Sequence, residues 1–209
     1  MPEHAAPDPR STGSDTNSDA YTERLVGLQT VWWKRVLPVQ APYRWNARRL
    51  HLGRVLDVGC GLGRNLEHLD GNGVGIDHNA DLVAHARSKG VVAYTTDEFA
   101  GSPDDVPGSF DAILLAHVVE HVDDTTAHEI LTTYLPYVRP GGVVHVITPQ
   151  ERGQDSDPTH VRFCDFAVVE ELLRSHDLTI ERSYSFPFPR WAGKAFVYNE
   201  FNVSGRLAG

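Results

Sequence analysis

The sequence predicts an α/β fold in which parallel strands alternate with helical crossovers. Three observations carry that expectation: short β-branched runs recur between helical stretches, one of them enters a glycine-rich turn, and acidic residues stand at successive strand ends. Strands are expected over residues 54–58, 74–76, 91–94, 112–115 and 143–147. Two more, over 178–185 and 195–205, flank the Pro- and aromatic-rich loop 186–191 and bring the count to seven.

The helices follow from their spacing. Leu25, Leu28, Val31, Trp32 and Val36 recur at three- and four-residue steps and predict an amphipathic helix over 21–37, ended by Pro38. A second short helix is expected over 43–52. Over 123–138, Ile130, Leu131, Tyr134, Leu135 and Val138 form one apolar face, with Asp123 or Asp124 placed to cap the positive end. Pro140-Gly141-Gly142 then reads as a turn into the next strand. Residues 1–20 hold no large apolar side chain beyond Met1 and are expected to be a disordered tail, leaving 21–209 as a single domain with an N-terminal helical cap.

Composition excludes several classes. The 209 residues carry 19 Lys and Arg against 28 Asp and Glu, a net charge of −9, so a basic nucleic-acid face is not expected. Hydrophobic residues make up 41%, enough for a core, yet no apolar run approaches the ~20 residues of a membrane span. The polar N-terminus resembles neither a secretory signal nor a transit peptide, which makes the cytoplasm the expected location. Cys60 and Cys164 are far apart and outside any CxxC spacing, against a disulfide framework or a thiolate zinc knot.

Arg54-Val55-Leu56-Asp57-Val58-Gly59-Cys60-Gly61-Leu62-Gly63 reads as a buried strand, a glycine turn and a helix start. Glycines there let a ligand touch the backbone. A dinucleotide site wants GxGxxG, and here the third glycine comes one residue early. Asp57, two residues before the first glycine, would repel a pyrophosphate but suits a ligand with a cationic amino group. Asp77 ends the next strand and can accept hydrogen bonds from both hydroxyls of a ribose. Asp97 is expected to close the third strand similarly and to reach an adenine amino group.

These motifs, with Gly75-Ile76-Asp77, Phe110-Asp111-Ala112-Ile113-Leu114-Leu115 followed by Glu120-His121-Val122, and Val138-Arg139-Pro140-Gly141-Gly142, resemble the successive motifs of class I S-adenosylmethionine-dependent methyltransferases. The resemblance covers about residues 40–150. It implies a doubly wound, Rossmann-like seven-stranded sheet with the last strand antiparallel and the cofactor S-adenosylmethionine across the strand C-termini. Tyr43-Arg44-Trp45-Asn46 is similar to the Arg-x-Asn element of ubiquinone-pathway O-methyltransferases, which makes Arg44 a cofactor candidate. The full set implied for the cofactor is Arg44, Asp57, Gly59, Gly61, Gly63, Asp77, His78, Asp97 and Ala116.

His117-Val118-Val119-Glu120-His121 has the bare pattern HxxEH of some zinc peptidases, but its place after a buried parallel strand argues against that identity. On a helix its polar residues would share one face. The pentapeptide instead resembles the Glu-x-x-Glu-His element of the ubiquinone-pathway enzymes and of small-RNA 3′-terminal 2′-O-methyltransferases, with His160 as the later histidine. That resemblance implies a divalent metal (Zn, Mn, Fe or Mg) held by His117, Glu120, His121 and His160. His117 stands where those families carry glutamate, and three imidazoles with one carboxylate suit zinc, manganese or iron better than magnesium. His121 and His160 are the candidate catalytic bases.

The expected activity is methyl transfer to a hydroxyl of a polar small molecule or saccharide. Two alternatives stay open: N- or C-methyl transfer without metal, and a non-catalytic adenosylmethionine-binding regulator. Residues 149–159 are polar and unsuited to acyl chains, so no membrane partner is expected. Trp32, Trp33 and the 186–191 loop are expected to wall the acceptor site.

Overall fold

The computed structural model describes residues 40–209. The tail, the 21–37 helix and both of its tryptophans lie outside them. Helix α1, Ala41–Arg49, starts with a proline in its first turn and places Arg48 and Arg49 at its carbonyl end, where cations are favoured. It begins and ends earlier than the expected 43–52. Its one buried residue is polar: Asn46 donates from Nδ2 to Asn202 Oδ1 at 3.0 Å, and its Oδ1 accepts from the Tyr184 hydroxyl at 2.9 Å. An amide rather than an apolar stripe therefore seats α1.

Strand β1, Val55–Val58, is buried throughout. Then come α2 (Arg64–His68), β2 (Gly73–Asp77), α3 (Ala80–Ser88), β3 (Ala93–Thr95), α4 (Thr96–Phe99) and β4 (Phe110–Ala116). Asn79 caps α3 by accepting from the Asp81 and Leu82 N–H groups, and Thr95 with Glu98 forms a capping box on α4. Helix α5, Asp124–Tyr134, is capped by Asp123 and stops short of the expected residue 138 because Pro136 sits in the 3₁₀ turn Leu135–Tyr137.

Strand β5 runs from Val138 to Pro149 and absorbs Pro140-Gly141-Gly142, expected as a turn. Its register on β4 shifts between the Phe110–Val138 and Ala112–Val143 pairs, so those residues form an irregularity within the strand. Helix α6 (Glu151–Gln154), helix α7 (Phe166–Arg174, capped by Asp165), β6 (Thr179–Phe186) and β7 (Glu200–Arg206) complete the chain. β7 begins at Glu200 rather than at 195. The buried Asn199 amide donates to the carbonyls of Phe188 and Pro189 at 3.3 Å each and holds the preceding residues against the loop instead of in the sheet.

The seven strands lie in the order β3-β2-β1-β4-β5-β7-β6. β1 to β5 are parallel, and β7 inserts antiparallel between β5 and β6. Leu56, Ile113, Leu115, Val144 and Val203 are fully buried and join the central strands into one core. Strand order reverses between β1 and β4, and in open α/β sheets ligands bind outside the carboxyl ends at such a point.

His145 on β5 is fully buried between Ser204 Oγ at 2.8 Å and Asn202 Oδ1 at 3.2 Å. Burial pushes its pKa down to about 4. The unfolded chain takes up a proton near pH 6.5 that the folded chain refuses until pH 4, so this residue removes stability as pH falls through that window. Urea unfolding of the protein and of its His145→Gln variant should show the wild type losing roughly 2 kcal/mol relative to the variant between pH 7.5 and 5. A pH-independent difference would contradict a neutral buried imidazole.

Candidate functional site

The glycine turn after β1 is tied across β2: the N–H groups of Gly59 and Cys60 both donate to the Ile76 carbonyl, at 2.8 and 3.0 Å. This approach requires glycine at 75, where an added Cβ would lie 2.6 Å from Cys60 Sγ. Gly61 has φ +52 and open space where a side chain would be, so the turn bares its backbone. Asp77, at the end of β2, accepts from the Gly61 N–H at 2.8 Å through Oδ2 and from the Asn79 N–H at 2.9 Å through Oδ1. His78 Nδ1 lies 3.4 Å from the same carboxylate.

Asp57 is fully buried and neither carboxylate oxygen has a hydrogen-bond partner; Asn65 comes near without closing a bond. Burial, with the Asp77 charge adding to it, raises its pKa to about 7 against the weaker pull of Asn65 and Arg64. An orphaned buried carboxyl is costly unless a ligand cation completes it.

A cleft of about 760 Å³ opens above the carboxyl ends of β1, β4 and β5, with Arg44, Gly59, Gly61, Ala116, His121 and His160 in its wall. Gly63 caps α2. Asp97 differs from expectation: β3 ends at Thr95, and Asp97 lies on the exposed face of α4. Tyr43, Asp157, Val197, Tyr198 and Glu200 also line the cleft. No residue of the 186–191 loop, expected to wall an acceptor, is part of the cleft lining, and Trp191 is 75% exposed.

The histidine cluster is not helical. His117 has φ +60 and donates its N–H to the Ile147 carbonyl at 2.9 Å; only Val119–His121 form a 3₁₀ turn. The Glu120 carbonyl accepts from the N–H groups of Val161 and Arg162 at 2.9 and 3.2 Å, which brings His160 beside His121 with ring centroids 4.7 Å apart. His121 Nδ1 faces the Thr159 carbonyl at 3.2 Å and His160 Nδ1 faces the Gln154 carbonyl at 3.0 Å. Each Nδ1 thus donates to a carbonyl, which leaves Nε2 as the nitrogen open to a ligand. Burial, the largest influence on His121, holds its pKa below the ordinary histidine value and keeps it neutral at pH 7.

Ligand atoms of Glu120, His121 and His160 lie within 4.8 Å of one another. Glu120 is fully buried, and its Oε2 has no hydrogen-bond partner. One orphaned carboxylate oxygen beside two imidazoles oriented through their far nitrogens is a donor set that fits a divalent transition metal. His117 stands outside this set. Its Nδ1 lies 3.1 Å from Glu120 Oε1 and its Nε2 lies 3.1 Å from Glu200 Oε1, so neither nitrogen is left to ligate. Burial opposes its charge, but the two carboxylates outweigh that and raise its pKa to about 10. Nothing in the sequence marked Glu200, which lies 83 residues from its partner.

Comparison with known proteins agrees with this fold. Residues 33–181 match a family model described as a methyltransferase domain. A ubiquinone biosynthesis O-methyltransferase of Xanthomonas campestris pv. campestris (strain B100) is 30% identical over 159 residues, 68% of this chain; the chain spans 65% of that relative's length. The S-adenosylmethionine-dependent methyltransferase of Archaeoglobus fulgidus superposes with a TM-score of 0.62 at 16% identity, covering 78% of this chain and 92% of that one. The magnesium protoporphyrin IX methyltransferase of Synechocystis PCC 6803, solved with bound S-adenosylmethionine, gives 0.65 at 14% identity over 99% of this chain and 100% of that one. The chain belongs to the methyltransferase-domain family and has the class I S-adenosylmethionine-dependent methyltransferase fold.

Proposed function

We propose that the protein transfers a methyl group from S-adenosylmethionine to a hydroxyl of a polar small molecule or saccharide, with a divalent metal at Glu120, His121 and His160. The observation that carries this reading is the grouping of a buried Glu120 carboxylate oxygen with His121 and His160, two histidines that line the same cleft as the glycine turn. A sulfonium methyl donor needs a collinear approach and an acceptor that loses its proton. A metal bound there would lower the acceptor hydroxyl's pKa.

The chain's residues do the rest. Asp77 accepts from the ribose hydroxyls, Gly61 lets the cofactor approach the backbone, and Asp57 with Arg44 serves the charged amino-acid end. In the metal-free reading His121, held neutral by burial and lining the cleft, takes the hydroxyl proton instead. Tyr43, Asp157 and Glu200 give the acceptor end a polar lining suited to a hydroxylated compound. Among the described residues no helix is long and apolar enough to cross a membrane. The direct test is incubation with methyl-labelled S-adenosylmethionine and fractionated metabolite extracts, with and without chelator. An O-methylated polar product lost on chelation is expected; an N- or C-methylated product made equally well with chelator would replace this reading with the metal-free one.

Asp77→Ala should weaken adenosylhomocysteine binding by roughly two orders of magnitude in calorimetry, since two hydrogen bonds to a charged group are lost. Unchanged affinity would remove Asp77 from the site. His121→Ala and His160→Ala should each cut turnover by about 10²-fold or more while leaving that affinity intact.

The raised pKa of Asp57 gives a signed pH effect. Below about pH 7 the empty site holds Asp57 protonated, and a ligand ammonium beside it drives that proton off. Adenosylhomocysteine affinity should therefore rise with pH up to about 7 and then level, until the ligand's own amine titrates. At pH 6 the binding heat should vary with buffer ionisation enthalpy as proton release requires; a heat independent of buffer at that pH would count against an Asp57–ammonium pairing.

A further inference from the structure

His117 is the point where this chain departs from the glutamate that its sequence resemblance would place there, and the geometry gives the substitution a purpose. Its two ring nitrogens each face a carboxylate oxygen at 3.1 Å, one from Glu120 and one from Glu200. Both nitrogens lie within hydrogen-bond distance of a carboxylate, so the ring bridges Glu120, in the turn after β4, and Glu200, at the start of β7. Glu120 is fully buried and Glu200 is 13% exposed, so without a shared donor the two would be left as poorly solvated negative groups. The bridge also fixes which Glu120 oxygen is free. With Oε1 against His117, Oε2 is the Glu120 atom left without a partner, and Glu120 offers a carboxylate oxygen to the group it forms with His121 and His160. The left-handed backbone at His117, an uncommon state for histidine, is held by its N–H bond to Ile147 and by these two contacts.

We propose that His117 is a positioning residue and not a metal ligand: clamped to Glu200, it orients Glu120, so that the centre is a triad of one carboxylate and two imidazoles. The proposal rests on the metal reading of the preceding subsection. Three protein ligands leave the remaining positions of a transition-metal ion for two neighbouring acceptor oxygens, and Glu200 becomes part of the machinery without touching the ion.

The test is cobalt(II) titration of the full chain without cofactor, followed by proton NMR. Wild type should bind one cobalt and show two exchangeable, hyperfine-shifted imidazole N–H resonances, from Nδ1 of His121 and of His160. His117→Gln should keep both while lowering cobalt affinity about ten-fold, as loss of an outer partner of a metal ligand does. Glu200→Gln should give the same loss, and the double variant should be no worse than either single one, because both remove one clamp. A third shifted N–H in wild type, which needs no variant to observe, would make His117 a ligand and overturn the proposal. Additive losses in the double variant would overturn the clamp. Absence of cobalt binding, or binding that survives both His121→Ala and His160→Ala, would instead remove the metal reading, and this proposal with it.

Discussion

One carboxylate ties the glycine turn to the following strand and helix. Asp77 accepts from Gly61 in the turn after β1 and from Asn79 at the start of α3, so the glycine turn, the end of β2 and the following helix cap are fixed relative to one another. That arrangement requires the turn to lie against β2, which in turn requires a glycine at 75 in contact with Cys60. Asp57 beneath it is then sealed from solvent with no partner. The site is preorganised on one side and electrostatically incomplete on the other, a combination suited to a ligand with hydroxyls and an ammonium group.

A single backbone carbonyl does the same for the histidine cluster. The Glu120 carbonyl receives two N–H groups from the segment that carries His160, and Cys164 Sγ lies 3.6 Å from the neighbouring Val119 carbonyl. The loop after β5 is therefore stitched to the turn after β4, and two histidines distant in sequence share one spot. Both anchor systems use strand ends of the sheet's switch point as their base, so neither depends on a long flexible loop for its geometry.

Strand alternation, the antiparallel last strand and the glycine turn were legible in the sequence because each leaves a local trace: β-branched runs, glycine spacing and motif order. Boundaries failed where a tertiary contact overrides the local pattern. Asn199 draws residues 195–199 out of the strand to satisfy the carbonyls of the 186–190 loop, and Pro140-Gly141-Gly142 falls within the bounds of β5 but in the unpaired stretch between the Phe110–Val138 and Ala112–Val143 pairs. Asp97 was expected at a strand end, but the Thr95–Glu98 capping box starts a helix first. Glu120, His121 and His160 came together as the motif suggested, whereas His117 was claimed by Glu200, a partner on β7 that only the inserted antiparallel strand brings near. Asn46, read as part of a motif for the cofactor, serves to lock α1 onto β7 and thereby places its neighbour Arg44 at the cleft.

On the proposed function, an adenosyl ligand lies against Asp77 and a divalent metal is held by Glu120, His121 and His160. Anomalous diffraction from crystals grown with adenosylhomocysteine and manganese tests this. One manganese peak bonded to a Glu120 carboxylate oxygen and to both histidines, with the ribose hydroxyls on Asp77, is the expected result. A peak elsewhere, no peak at saturating manganese, or a ribose placed away from Asp77 would contradict it.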